Sequence, residues 1–296
     1  MNGADRARAA PPGPSPWARL CRAGLLPRVL VTLLAVPCLL VITLRGGLHF
    51  LWLVDLIIVL GLREFYAMTA AKGYRPYRLL GILCALAVSW HVYHGGPAIS
   101  FPLTLTLLLV MALELFRKGQ AHPLNHIAIT ILGVLYVGWL ASHLVLLRQL
   151  PQQAGAADQL GARAIFFVAA VIWSADTAAY LVGITWGRHK LLARVSPGKT
   201  IEGTAGGLAV SILVGMVCSV TFASFMTPAG GALLGLGLGI CGLLGDLVES
   251  LLKRDVGLKD SGASLIIPGH GGVLDRFDSL LFAAPLAYYY LRSFVF

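Results

Sequence analysis

Nine apolar stretches, each close to the length of one bilayer crossing, follow one another along this chain. They run roughly 27–44, 48–66, 79–94, 101–116, 126–147, 164–183, 205–226, 231–252 and 279–296. One crossing takes about 20 apolar residues. In lipid the backbone must satisfy its own hydrogen bonds, so each stretch is predicted to be a helix. Residues are 57% hydrophobic and 12% charged, against about 25% charged in an average soluble domain. That is too little charge to cover a soluble globule, and it excludes intrinsic disorder for most of the chain. The five cysteines, Cys21, Cys38, Cys84, Cys218 and Cys241, stand singly. They form no CxxC pair, which argues against a disulfide scaffold or a thiolate zinc site. The fold class predicted is an all-α polytopic integral membrane protein with about nine transmembrane helices.

The net charge of +10 would suit nucleic acid, but in a membrane protein it marks cytoplasmic loops facing anionic lipid. No nucleic-acid partner is expected. With the N-terminus on one side and the segments alternating, 19 of the 23 basic residues fall on that side. They lie in the N-terminal tail and in the loops after segments 2, 4, 6 and 8. Arg45, Arg148, Arg163 and Arg292 fall opposite. The positive-inside rule then makes the N-terminus cytoplasmic and the C-terminus external. Residues 1–26 read as a basic, Ala/Pro-rich cytoplasmic tail without fixed structure. A cleaved signal peptide is disfavoured, because the run Leu25 to Leu44 is longer than a usual signal core and no clean cleavage site follows it. Residues 27–160 read as an N-terminal transmembrane bundle. Residues 161–296 read as a C-terminal catalytic transmembrane region with cytoplasmic loops 184–204 and 253–278. No internal repeat is evident, which weakens a transporter built from inverted halves.

Acids inside apolar segments are the strongest functional signal, because a carboxylate there must be paired or hold a cation. Asp246 lies seven residues before Lys253 in GLLGDLVESLLKR, about 10 Å below a charged helix end. Asp246, Glu249, Ser250 and Lys253 share one helical face. Gly235, Gly239 and Gly242 continue that face and would admit a second helix. A buried ion pair with a neighbouring arginine is the alternative for Asp246. Asp176 lies late in segment 6, two residues after Ser174. Asp55, in segment 2, reads as one half of a structural pair.

Two cytoplasmic loops carry the remaining signal. In loop 8–9, Pro-Gly-His-Gly-Gly (268–272) cannot be regular helix, and its glycines would let backbone NH groups approach an anion. His270 stands in that turn. Asp275 and Asp278 follow at i, i+3 with Arg276 between them, a pattern suited to divalent cations that bridge phosphates. In loop 6–7, Ser196-Pro197 reads as a helix start. Gly198-Lys199-Thr200 resembles the end of a Walker A loop, but Ala193 stands where that pattern needs glycine and no strand is predicted before it. Lys199 and Thr200 at a helix N-terminus would still hold a phosphate. His91 and His94 have metal-like spacing without a nearby acid. Arg63-Glu64 and Glu114 with Arg117 read as interfacial helix-end pairs.

SLLKRDVGLKD followed by PGHGGVLDRFDS resembles the signature of the phosphatidate cytidylyltransferase (CDP-diacylglycerol synthase) family, and SADTAAYLVGITWGRHKLLARVSPGKTIEG is similar to that family's other stretch. Two departures stand out. The family usually has Lys where Gly198 stands, and the interval from Asp260 to Pro268 is longer than usual. The resemblance implies that CTP and phosphatidate give CDP-diacylglycerol and diphosphate with Mg2+, and it is compatible with a second metal ion. Asp246, Lys259, Asp275, Arg276 and His270 would be catalytic, with Asp246, Asp275 and Asp278 holding the metal. Ser174, Asp176, Lys199, Thr200, Glu202, Lys253, Arg254 and Asp260 would bind substrate. The implied partners are the two substrates and the lipid bilayer, and a homodimer is allowed. The implied location is a bacterial inner membrane with the site facing the cytoplasm. Two other readings stay open: a polyprenol kinase-like enzyme with the same site, and an ion-coupled transporter using Asp55, Asp176 and Asp246. The crowding of acids at one face disfavours the transporter.

Overall fold

The computed structural model describes residues 36–70, 72–96, 98–118, 122–257 and 272–296. The basic tail and the start of the first apolar stretch lie outside the described residues. The chain divides into units 1–41 and 42–296. Of the first, residues 36–41 are described, and they are helical. The second is a helical bundle. Its elements are α1 (Gly47–Ala70), α2 (Arg78–Tyr93), α3 (Ser100–Leu115), α4 (Pro123–Gly133), a π-helical segment (Val134–Trp139), and α5 (Leu140–Gln153). These are followed by α6 (Gln159–Trp186), strands β1 (Lys190–Leu192) and β2 (Ser196–Thr200), α7 (Ile201–Thr221), α8 (Pro228–Asp255) and α9 (Leu274–Phe294).

Among the described residues, four continuous helices are long and apolar enough to cross a membrane: Pro123–Gln153, α6, α7 and α8. Helices α2 and α3 are apolar but shorter. Much of the outer surface is apolar: Leu79, Phe101, Leu115, Tyr180, Trp186 and Leu233 are each more than 60% exposed. A water-soluble monomer rarely shows so much contiguous apolar surface, whereas lipid accepts it. The protein is therefore a helical membrane protein.

Loop 184–204 departs from the all-α expectation. β1 and β2 pair antiparallel, with Lys190 opposite Thr200 and Leu192 opposite Ser196. Ser196-Pro197 therefore starts a strand rather than a helix. The helix begins five residues later, where Thr200 is the true N-cap: its hydroxyl accepts from the Gly203 N–H at 3.1 Å. A strand thus precedes Lys199 after all, but it belongs to a two-stranded ribbon. Thr227 caps α8 in the same way, accepting from Gly230 N–H at 3.1 Å with Pro228 next in line. In both cases a side-chain oxygen satisfies one of the N–H groups that a helix start leaves without a partner.

Small residues set how closely the C-terminal helices approach. A Cβ at Gly215 of α7 would lie 2.2 Å from the Gly231 carbonyl oxygen of α8, so those backbones meet with no side chain between them. A Cβ at Gly245 would lie 2.5 Å from the Asp278 carbonyl oxygen, so α9 rests directly on α8. Ser279 fixes that seam by donating its hydroxyl to the Gly242 carbonyl at 3.1 Å. Close backbone contact of this kind replaces the hydrophobic drive that lipid removes. Helix α9 supplies both cores: Leu281 and Ala284 pack with Leu51, Val54 and Val137, while Ala287 and Leu291 pack with Phe167 and Leu238. A central α9 holds its first two turns, with Asp275 and Asp278, against the bundle.

The helix ends that the charge count groups together do lie together. Lys72, after α1, pairs with Asp255 at the end of α8 at 2.6 Å. Arg117, after α3, donates to the Arg75 carbonyl before α2 at 2.8 Å. At the other end, the almost fully buried Arg148 of α5 donates to the Thr43 carbonyl and to both Asp158 carboxylate oxygens at 2.8 and 2.9 Å. This clamp ties α5 to the entry of α6.

The Arg148 guanidinium holds the Asp158 carboxyl below the usual carboxylate range. A carboxylate lowered on folding stabilises the protein above its unfolded value of about 3.9. That contribution is lost as pH falls through the folded value. Asp158→Asn is therefore expected to lower the melting temperature at pH 7, with a smaller gap to wild type at a pH below about 3.9. Thermal denaturation in detergent at the two pH values checks this, and a gap of equal size at both would contradict it.

Candidate active site

The acids and lysines singled out in the sequence converge where β2, α6, α8 and α9 meet. Lys199, at the end of β2, reaches Asp246 of α8 with Nζ to Oδ2 at 2.7 Å. The partner of Asp246 is thus a lysine from the ribbon rather than an arginine. Ser250, one turn on, donates to Asp246 Oδ1 at 3.3 Å. Asp176 of α6 lies within electrostatic reach of both Lys199 and Asp246. Helical spacing places Ser174, two residues earlier, on a different face.

A second group lies directly beside the first. Lys253, near the end of α8, bridges Glu249 Oε2 at 3.1 Å and Asp275 Oδ1 at 2.7 Å. Glu249 is 1% exposed, and its carboxyl neighbours both Asp275 and Asp278. Asp278 is also buried, with Asp246 and Asp176 within its electrostatic reach. Asp275 also accepts from the Gly272 N–H at 3.0 Å, within the loop that leads into α9. Arg276 is exposed on the same first turn.

The loop entering α9 is held from far away. Glu64 of α1 accepts from the Val273 N–H at 2.9 Å and the Leu274 N–H at 2.8 Å. Glu64 is therefore a buried cap on α9 and not an interfacial partner of Arg63. A carboxylate at a helix start satisfies unpaired N–H groups and faces the positive end of the helix dipole. No local pattern announces this, because the two ends are about 210 residues apart in sequence.

Other expected residues serve the frame. Glu202 accepts from the backbone N–H groups of Arg188 and His189, and its carboxylate meets His189 Nδ1 at 2.6 Å, so it closes the ribbon onto α7. Thr200 is occupied as the N-cap. Arg254 reaches the Val195 carbonyl at 3.4 Å and ties α8 to the ribbon. Asp55 accepts from the Trp90 indole N–H at 2.8 Å, a structural pair whose partner is an indole. Glu114 pairs with Arg117 at 3.3 Å and also with His126 at 3.0 Å, and is itself buried. Lys259, Asp260 and His270 lie outside the described residues.

Five carboxyls, Asp176, Asp246, Glu249, Asp275 and Asp278, thus gather around the ammonium groups of Lys199 and Lys253. A helical membrane protein that carries this cluster at its helix ends has a site for a charged substrate at the edge of the bilayer. The chain matches the model of the cytidylyltransferase family across residues 26–294 and belongs to that family. It is 36% identical over 292 residues to the phosphatidate cytidylyltransferase of Synechocystis, covering 89% of this chain and 95% of that one. It is 33% identical over 271 residues to the phosphatidate cytidylyltransferase of Bacillus subtilis, covering 90% and 97%. With the enzyme of that name from Staphylococcus aureus strain COL it shares 34% over 265 residues, covering 88% and 96%.

The Lys199–Asp246 pair keeps partial solvent contact at both ends, so its loss should cost about 1 kcal/mol or less. A lysine that meets phosphate matters far more to the reaction. Lys199→Ala is expected to lower kcat/KM on the order of 100-fold with little change in melting temperature. Steady-state kinetics beside thermal denaturation check this. Unchanged kinetics would remove Lys199 from the site.

Proposed function

We propose that this chain is a phosphatidate cytidylyltransferase that converts CTP and phosphatidate to CDP-diacylglycerol and diphosphate. A phosphate oxygen of the lipid attacks the α-phosphorus of CTP. The bond from that phosphorus to the bridging oxygen breaks, and diphosphate leaves with the electron pair. No covalent enzyme intermediate is required. The observation that carries the reading is the placement of the Lys199–Asp246 and Lys253–Asp275 pairs together at one end of a lipid-compatible bundle.

Two anions must be brought into contact, and the lysines supply the local positive charge. Lys199, on a ribbon anchored by Glu202 and Thr200, is placed to turn from Asp246 to a triphosphate oxygen. Lys253, Arg254 and Arg276 line the neighbouring helix ends; Lys259, Asp260 and His270, outside the described residues, would act on phosphate by resemblance to the family. Asp176 and Ser174 would border the nucleotide. Phosphatidate enters sideways between helices, while CTP arrives from the aqueous side.

The donor set suits Mg2+. Among the described residues no three of His, Cys, Asp or Glu close a metal shell. Mg2+ commonly takes only one or two carboxylates and completes its shell with substrate phosphates and water. Among the described residues the five carboxyls exceed the two paired lysines, and one buried Glu249 oxygen receives no hydrogen bond from a donor, so the cluster favours added positive charge. Asp246, Asp275 and Asp278 would hold the ion. When bound, it would neutralise charge on the phosphates and the departing diphosphate.

The 19-to-4 partition of basic residues supports nine crossings with a cytoplasmic N-terminus. The same partition supports a site facing the cytoplasm, and the bacterial relatives support an inner-membrane location. Labelled CTP tests the chemistry. Purified protein with phosphatidate and Mg2+ should move α-phosphorus label into lipid and release γ-label as diphosphate. Label from the γ-phosphorus entering lipid would mean a kinase, and no labelled lipid from either would contradict the reading.

A further inference from the structure

Tyr136 lies in the π-helical segment between α4 and α5. Single π turns shift side chains out of α-helical register and recur at functional sites. Its ring is buried, with centroids 6.0 Å from Phe65 of α1 and 6.1 Å from Phe282 of α9. Phe282 follows Asp278 by four residues, so both share one face of α9. The buried Tyr136 side chain also interacts electrostatically with Glu249, Asp278 and Asp275.

Tyr136 is 6% exposed, and among the described residues its hydroxyl has no hydrogen-bond partner. Glu249 Oε1, in the same cluster, receives no hydrogen bond from a donor among the described residues and lies against the Asp275 and Asp278 carboxyls. Buried polar atoms left unpaired destabilise a fold and call for an explanation. Packing does not supply one here, because a phenylalanine would fill the same space and make the same ring contacts without the penalty.

We propose that Tyr136 is a positioning residue for the carboxylate cluster. Its hydroxyl donates a hydrogen bond to the Glu249–Asp278 carboxyls as the site loads, and so orients the oxygens that receive the cation. A neutral donor suits this task. A further lysine would compete with the cation for the same oxygens, whereas a hydroxyl steers a carboxylate and leaves its charge available. The donor becomes important when Lys199 and Lys253 turn from their carboxylates to phosphate. Groups that orient metal ligands typically change metal affinity or activity by about 10- to 100-fold when removed. The proposal rests on the metal-assisted cytidylyl-transfer reading.

The test compares wild type, Tyr136→Phe and Tyr136→Leu in detergent. The readouts are Mn2+ affinity by electron paramagnetic resonance, steady-state kinetics with Mg2+, and melting temperature. Tyr136→Phe is expected to keep or raise the melting temperature, to weaken Mn2+ binding about tenfold, and to lower kcat with little change in KM for CTP. Tyr136→Leu is expected to lower the melting temperature as well, because the ring contacts go. Wild-type Mn2+ affinity and kcat in Tyr136→Phe would overturn the proposal and leave the metal reading intact. A Tyr136→Phe variant that is unstable but normal per folded molecule would also overturn it. Absence of Mn2+ binding in wild type would overturn the metal reading, and this inference with it.

Discussion

Lys253 holds the site together. Its ammonium group joins Glu249 on its own helix to Asp275 on the first turn of α9, and all three groups are largely buried. Two carboxyls with one ammonium would be untenable in an apolar interior unless each were paired or hydrogen-bonded. Other parts of the fold make that arrangement tolerable. Glu64 caps the start of α9 from α1, and the Gly272 N–H steadies Asp275. The glycine seam at Gly245 lets α9 lie against α8 closely enough for the bridge to form.

Depth follows from the same geometry. Asp246 is about two and a half turns below the end of α8, where the side chain still meets solvent, while Glu249 and Asp278 are buried behind it. The charged groups therefore grade from half-exposed at the ribbon to enclosed against the aromatic core of Phe65, Tyr136 and Phe282. A water-soluble nucleotide and a lipid phosphate can meet only at such a boundary. The ribbon extends the aqueous side of the site, with Glu202 and Thr200 fixing its two ends so that Lys199 is carried on a framed strand instead of a free loop.

Much of this was legible in the sequence. The apolar stretches from 48 onward recur as helices because each must satisfy its own backbone in lipid. Asp246, Asp275 and Lys199 announced themselves because charge near an apolar segment needs a reason. Glu249 and Lys253 were visible as members of one helical face. What stayed hidden depends on contacts between distant segments. Glu64 looked like half of a local pair with Arg63, and only the folded bundle brings it to α9. The strand at Ser196–Thr200 was masked by a Ser-Pro pair that normally starts helices. Tyr136 carried no signal, since an aromatic residue in an apolar helix reads as core, and the π turn that redirects it has no simple sequence mark. Ser174 was grouped with Asp176 by proximity in sequence, which helical geometry does not honour.

The central claim is that the carboxylates of α8 and α9 jointly hold a divalent cation for cytidylyl transfer. The direct measurement is thermal stability in detergent with and without Mg2+, alongside specific activity, for wild type, Asp246→Asn and Asp275→Asn. Saturating ligand at 100 times its dissociation constant stabilises a protein by about 2.7 kcal/mol. Wild type should show a gain of that order, and each variant should remain folded, lose the gain and lose nearly all activity. Variants that are unstable yet fully active per folded molecule would contradict the claim and leave these acids as structural ion-pair partners.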